Sequence, residues 1–123
     1  MTASRFEARV RHERGVTVID VYGDVDAFAD ATINAAYAEA SSGDATTILL
    51  NFDGVGYITS TGIGLIVGLL AQALKSRRRL LACGLSDHYQ EIFQITRLTD
   101  FMSIFPDEAS AIASAAGSAA VDR

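Results

Sequence analysis

The sequence predicts a single α/β layer domain built on a mixed sheet. Three observations carry this. The segments read in the order β-β-α-β-α-β-α-β-α, and strands separated by helices pair in parallel through right-handed crossovers. A hairpin at the start adds one antiparallel strand. The 123 residues are 50% hydrophobic, enough for one packed core and too few for two domains.

Phe6, Ala8 and Val10 alternate with Glu7, Arg9 and Arg11, the period of a half-exposed edge strand. Glu13-Arg14-Gly15 reads as the hairpin turn. Val16 to Tyr22 is rich in β-branched residues and forms the second strand. Gly23-Asp24-Val25-Asp26 breaks it, and Asp26 caps a helix from about Ala27 to Ala40 with Phe28, Ile33 and Tyr37 toward the core. Ser41 to Asp44 ends that helix.

Thr46 to Phe52 is a nearly continuous apolar run, as in a strand covered on both faces. Asp53 to Ile58 reads as a loop. Thr59-Ser60-Thr61-Gly62 opens a second helix to about Ser76, with Ile63, Ile66, Val67, Leu70 and Leu74 at core spacing. Arg77-Arg78-Arg79 is a polar break with the character of a solvated helix end. Leu80 to Gly84 is a buried strand. Ser86 caps a helix over Asp87 to Ile95, whose core side is Tyr89, Ile92 and Phe93. Phe101 to Phe105 is the last strand, and Pro106 suits the first position of a terminal helix through about Ala115. The domain therefore spans 1–115, followed by a fraying small-residue tail, 116–123.

Composition excludes several functions. Lys and Arg total 10 against 15 Asp and Glu, a formal charge of -5. Such a chain is repelled by nucleic-acid phosphates and by anionic membranes. One cysteine allows no internal disulfide and no multi-cysteine zinc site. Met1 to Arg14 lacks the apolar stretch of a signal peptide, and the run Ile63 to Ala73 is too short to span a bilayer. The expectation is a cytoplasmic protein that touches neither membrane nor nucleic acid.

Catalytic patterns are weak. His12 and His88 sit in separate polar segments, and Cys83 lies inside an apolar strand. Asp24 and Asp26 have turn and capping roles. Gly62-Ile63-Gly64 with Gly68 approaches a dinucleotide fingerprint, but the third glycine comes one residue late. No catalytic residue, metal ligand or cofactor site is expected.

The three hydroxyls Thr59, Ser60 and Thr61 stand out at the strand-to-helix junction. Capping needs only one of them. A phosphate there would meet free N–H donors and the positive end of the helix dipole. The domain would stay folded while its surface gained about two negative charges. Leu65, Leu69 and Ala73 form a second apolar set, either a wider buried face or a docking strip beside the hydroxyls.

The run Tyr57-Ile58-Thr59-Ser60-Thr61-Gly62-Ile63-Gly64 resembles the signature of STAS domains, the anti-sigma-factor antagonists, which reads approximately Asp-Ser-Ser/Thr-Gly-Leu-Gly. Gly23-Asp24-Val25-Asp26 is similar to the family's Gly-Glu-Leu-Asp element. Leu81 to Leu85 and Phe93 to Leu98 also look like family positions. The resemblance implies a sheet of about five strands with four helices mainly on one face. It implies a non-enzymatic antagonist that binds an anti-sigma factor, itself a serine kinase, and so frees a sigma factor. The kinase phosphorylates and inactivates the antagonist, and a phosphatase reverses this. By motif position the acceptor is Ser60, with Thr61 the neighbouring hydroxyl. The implied partner surface is Asp24, Tyr57, Ile58, Thr59, Ser60, Thr61, Gly62, Leu65 and Leu69, on a monomer or weak dimer. Thr59 stands where the motif has aspartate. That departure motivates the alternative, a STAS scaffold or ligand-sensing subunit with no phosphorylation cycle.

Overall fold

A computed structural model describes residues 6–121, with side chains through Ala116. β1 (Glu7–Glu13) and β2 (Val16–Val25) pair antiparallel through a two-residue turn. Arg14 and Gly15 both have positive φ, 51° and 85°. Those dihedrals match the twist of the flanking strands, which makes the hairpin tight.

The chain continues through a 3-10 turn (Ala27–Ala29), α1 (Asp30–Ala40), β3 (Thr47–Ile58), α2 (Ser60–Lys75) and β4 (Arg79–Cys83). It ends with α3 (Asp87–Ile95), a second 3-10 turn (Leu98–Asp100), β5 (Ser103–Phe105) and α4 (Glu108–Val121). The strand order is β1-β2-β3-β4-β5, with β2 through β5 mutually parallel. The order never reverses, so right-handed crossovers place α1, α2 and α3 on one face. α4 follows the last strand and covers the other face.

Alternation along the strands divides the core accordingly. Ile19, Val21, Ile48, Leu50, Phe52, Leu80 and Ala82 meet the three crossover helices. Val18, Leu49, Leu81 and Cys83 meet Ala111 and Ala115 of α4. Burial pushes the Cys83 thiol up to about 12, so it packs as a small hydrophobe. On the α4 face, Arg11 donates to both carboxylate oxygens of Asp20 at 2.6 and 3.0 Å and to Glu108 of α4. Asn51 donates to Asp20 at 2.9 Å. The bond from Arg11 holds the Asp20 carboxyl below its ordinary value, against the opposing effect of burial.

The structure corrects several boundaries. Gly23 to Val25 does not break β2, and Asp53 to Ile58 is not a loop. Both belong to strands that pair with each other, Gly23 with Val55 and Val25 with Ile58, through two register shifts. β1 reaches only Tyr22 and β4 only Asn51, so this pair projects past the rest of the sheet. Asp26 caps a 3-10 turn rather than α1 itself. Phe28, expected in the core, is 86% exposed. It lies five residues before Ile33, about 140° around a helix, whereas Ala29 lies four before and is buried.

The core stripe of α2 is also rotated. Gly62, Ile66, Leu69, Leu70 and Ala73 are buried, and Val67 and Leu74 face solvent. Arg78 is not a solvated helix end: its guanidinium donates to the carbonyls of Ala45, Ser41 and Gly43, tying the end of α2 to the loop before β3. Phe101 precedes β5 and is exposed. Pro106 lies outside α4, which Asp107 caps by accepting from Ser110 N–H at 2.8 Å. α4 runs on through Val121, past the expected end at Ala115. The rest of the expected tail lies outside the described residues. Among the described residues, no helix is long and apolar enough to cross a membrane.

Candidate functional site

The projecting pair delivers the chain to α2 in a fixed way. Val25 and Ile58 are paired, and Thr59 N–H donates to the Val25 carbonyl at 3.0 Å. Thr59 is therefore extended, as an N-cap must be, and its Oγ1 accepts from Gly62 N–H at 3.0 Å. The Thr59 carbonyl accepts from Ile63 N–H at 2.9 Å, which starts the helical ladder.

The three hydroxyls thus divide their roles. Thr59 is committed to the cap. Ser60 and Thr61 are exposed, and among the described residues neither hydroxyl has a hydrogen-bond partner. Their amides are the orphan donors of the first helical turn. Ser60 is an accessible hydroxyl on a rigid helix start, beside N–H groups that favour an anion. An aspartate at position 59 would form the same cap, so the departure from the motif leaves the backbone frame intact.

The remaining expected surface residues separate into two groups. Tyr57 is 59% exposed and Asp24 is half-buried, its carboxylate beside Gly56. These join Thr59, Ser60 and Thr61 at one end of the molecule. Ile58, Gly62 and Leu69 do not belong to the surface. Ile58 is 5% exposed and donates its amide to the Tyr89 hydroxyl at 2.9 Å. Gly62 packs directly on the Val25 carbonyl. Leu69 is 0% exposed in the main core, because contact at Gly62 turns that side of α2 inward. Leu65 is half-buried at the edge of this core.

An apolar strip does run from the hydroxyl cluster, along different residues. Ser60, Gly64, Val67, Ala71 and Leu74 are exposed at the spacing of one helix face. The 3-10 turn carrying Phe28 packs against α2. Phe28 and Val67 are the residues that sequence reasoning missed. A second signal was legible: from Gly15 to Leu74 the chain has seven acidic residues and no lysine or arginine. Asp24, Asp26 and Asp53 from this stretch lie on the projecting pair and its exit, so the serine end is acidic.

Gly62 and Gly64 do not form a dinucleotide cradle. The side of Gly62 that would approach a pyrophosphate is filled by Val25. The sheet also lacks the strand-order reversal where such ligands bind. His12 and His88 are exposed and lie on different elements, β1 and α3.

Comparisons with known proteins agree with this geometry. Residues 7–111 match the family described as the STAS domain. The anti-sigma-B factor antagonist of Staphylococcus aureus is 29% identical over 86 residues, which is 70% of this chain and 80% of that one. The solved structure of the anti-sigma factor antagonist SpoIIAA in its unphosphorylated form is 27% identical, with a TM-score of 0.71 over 89% of this chain and 96% of its own. The phosphorylated form of SpoIIAA, a Bacillus cell fate determinant, is 26% identical, with a TM-score of 0.67 over 88% and 98%.

Proposed function

Since this chain belongs to the STAS domain family, we propose that it is an anti-sigma-factor antagonist switched off by phosphorylation at Ser60. The observation that carries this reading is the division of roles at the start of α2. Thr59 takes the cap, and Ser60 is left exposed on a fixed frame. A covalent phosphate would accept from nearby amides without melting the helix. Its cost would fall on a partner docked over the same end. Like SpoIIAA, which is known in unphosphorylated and phosphorylated forms, the chain would signal by surface change and needs no catalytic cleft. The family's anti-sigma antagonists are non-enzymatic regulators.

The docking face of this reading is Ser60, Tyr57 and Asp24, extended by Phe28 and by Gly64 and Val67 of α2. The partner is an anti-sigma factor that is also a serine kinase, and a phosphatase resets the switch. Net charge of -5 disfavours direct contact with DNA, so control of transcription would pass through protein partners. The scaffold alternative drew on Thr59, whose cap leaves Ser60 on the frame that an aspartate would give.

The test is incubation with ATP and the kinase-type anti-sigma factors of the same source. A stable complex and a phosphate on Ser60 by mass spectrometry are expected. No complex and no phosphate would overturn the reading. Light scattering then separates a lone monomer from a scaffold assembly.

A further inference from the structure

We propose that Tyr89 is a positioning residue for the acceptor turn: its hydroxyl, presented by α3, holds the Ile58 backbone and so sets how Ser60 is displayed. Past Asn51, β3 has no neighbour on its β4 side. The Ile58 amide therefore lacks a ladder partner there, and Tyr89 Oη accepts it at 2.9 Å in a buried contact. The next amide, Thr59, points the opposite way, to the Val25 carbonyl at 3.0 Å. Successive residues of an extended chain alternate in this manner. The two residues before Ser60 are thus pinned from both sides, one to β2 and one to α3.

The pin on the α3 side is a point contact. A cavity of about 200 Å³, lined by Phe52, Val55, Gly56, Leu85 and Ser86, lies between this part of β3 and the first turn of α3. Tyr89 spans it. Its place on α3 is fixed in turn by the Ser86 cap, which accepts Tyr89 N–H at 3.4 Å. Loss of the hydroxyl would leave a buried amide unpaired and loosen the junction where the free N–H groups of α2 are arrayed.

The link to signalling rests on Ser60 being the acceptor, but the positioning does not. The experiment therefore reads position 60 without a kinase. In the full chain carrying Ser60→Cys, alkylation by iodoacetamide is followed against pH, with and without Tyr89→Phe. Cys83 is silent because it is buried, with its thiol pushed up to about 12. The midpoint of a thiol at an ordered helix start lies below that of the same thiol at a loosened one, with the acidic groups Asp24, Asp26 and Asp53 common to both. Tyr89→Phe keeps the ring and should move that midpoint up by about half a pH unit. Phe93→Leu loosens α3 without touching the hydroxyl and should not move it. An unmoved midpoint in Tyr89→Phe, or an equal shift in Phe93→Leu, overturns the proposal. If the cysteine variant does not fold, amide exchange in Tyr89→Phe alone decides. Ile58 should then exchange about ten-fold faster relative to Leu49, and an unchanged ratio overturns the proposal.

Discussion

The carbonyl oxygen of Val25 occupies the space that a side chain at position 62 would need: a Cβ on Gly62 would lie 2.0 Å from it. That carbonyl also accepts from Thr59 N–H and lies 3.4 Å from the Thr59 hydroxyl. It cannot retreat without breaking the cap of α2. Gly62→Ala should therefore cost about 2–4 kcal/mol, as overpacking against backbone does. Gly64 faces open space, so Gly64→Ala should instead stabilise the helix by about 0.5–1 kcal/mol. Urea unfolding of the two variants checks both signs.

The same contact explains what the sequence could and could not tell. The order of elements along the chain, the capping roles of Asp26 and Ser86, a capping hydroxyl among Thr59 to Thr61, and Ser60 at the helix start all follow from local chemistry and were legible, although Asp26 caps a 3-10 turn and not α1. The rotation of α2 was not. From Ile63 to Leu74 its residues are small or apolar except Gln72, so no polar face marks the phase. A backbone contact at Gly62 sets it, burying Leu69 and exposing Val67. Likewise Asp53 to Ile58 has two glycines and reads as a loop. It is held extended by pairing with β2, a tertiary effect that overrides propensity.

Thr59→Ala removes the Gly62 cap bond and should lower stability by about 1 kcal/mol. Thr59→Asp should leave stability within about 0.5 kcal/mol of the parent, since the two residues cap comparably. It also restores the motif carboxylate. If that carboxylate serves the kinase, the variant should be phosphorylated faster at Ser60. Thermal melts and a timed kinase assay with intact-mass detection separate the two effects.

Ser60→Asp places a negative charge at the first position of α2. It should be neutral or stabilising by up to about 1 kcal/mol, yet abolish partner binding as a phosphate would. Loss of several kcal/mol in a thermal melt would mean that Ser60 is structural. Unchanged binding by titration calorimetry would mean that the docking face lies elsewhere.

The Asp20 carboxylate is held below its ordinary value chiefly by Arg11. A group depressed in the folded state contributes stability that is present above its unfolded value of about 3.9. That contribution is lost as pH falls through the folded value. Arg11 stays charged throughout, its own value raised by Asp20 and Glu108. Asp20→Asn should thus cost about 1–2 kcal/mol at pH 7. The gap to the parent should narrow as pH falls below about 4. Urea unfolding from pH 7 to pH 3 tests this, and a gap independent of pH would assign the cost to packing.

The sequence placed Val67 in the core stripe of α2 and offered Leu69 for its exposed side; the structure reverses the two, and they make opposite predictions. Leu69 is buried against the main core, so Leu69→Ala should cost about 2–5 kcal/mol. Its effect on partner binding should follow from unfolding alone. Val67 is 45% exposed on the face of Ser60, so Val67→Asp should change stability by no more than about 1 kcal/mol. It should weaken the anti-sigma complex, because it sets a charge in an apolar contact. Phe28→Ala belongs with Val67, since the ring is almost wholly solvated in the free protein. Parallel measurement of melting temperature and complex affinity places each variant on one of two axes. A Val67→Asp protein that is as stable as the parent and binds as tightly would remove α2 from the docking face. Ser60 would then be left with only the Tyr57 and Asp24 side as its surroundings.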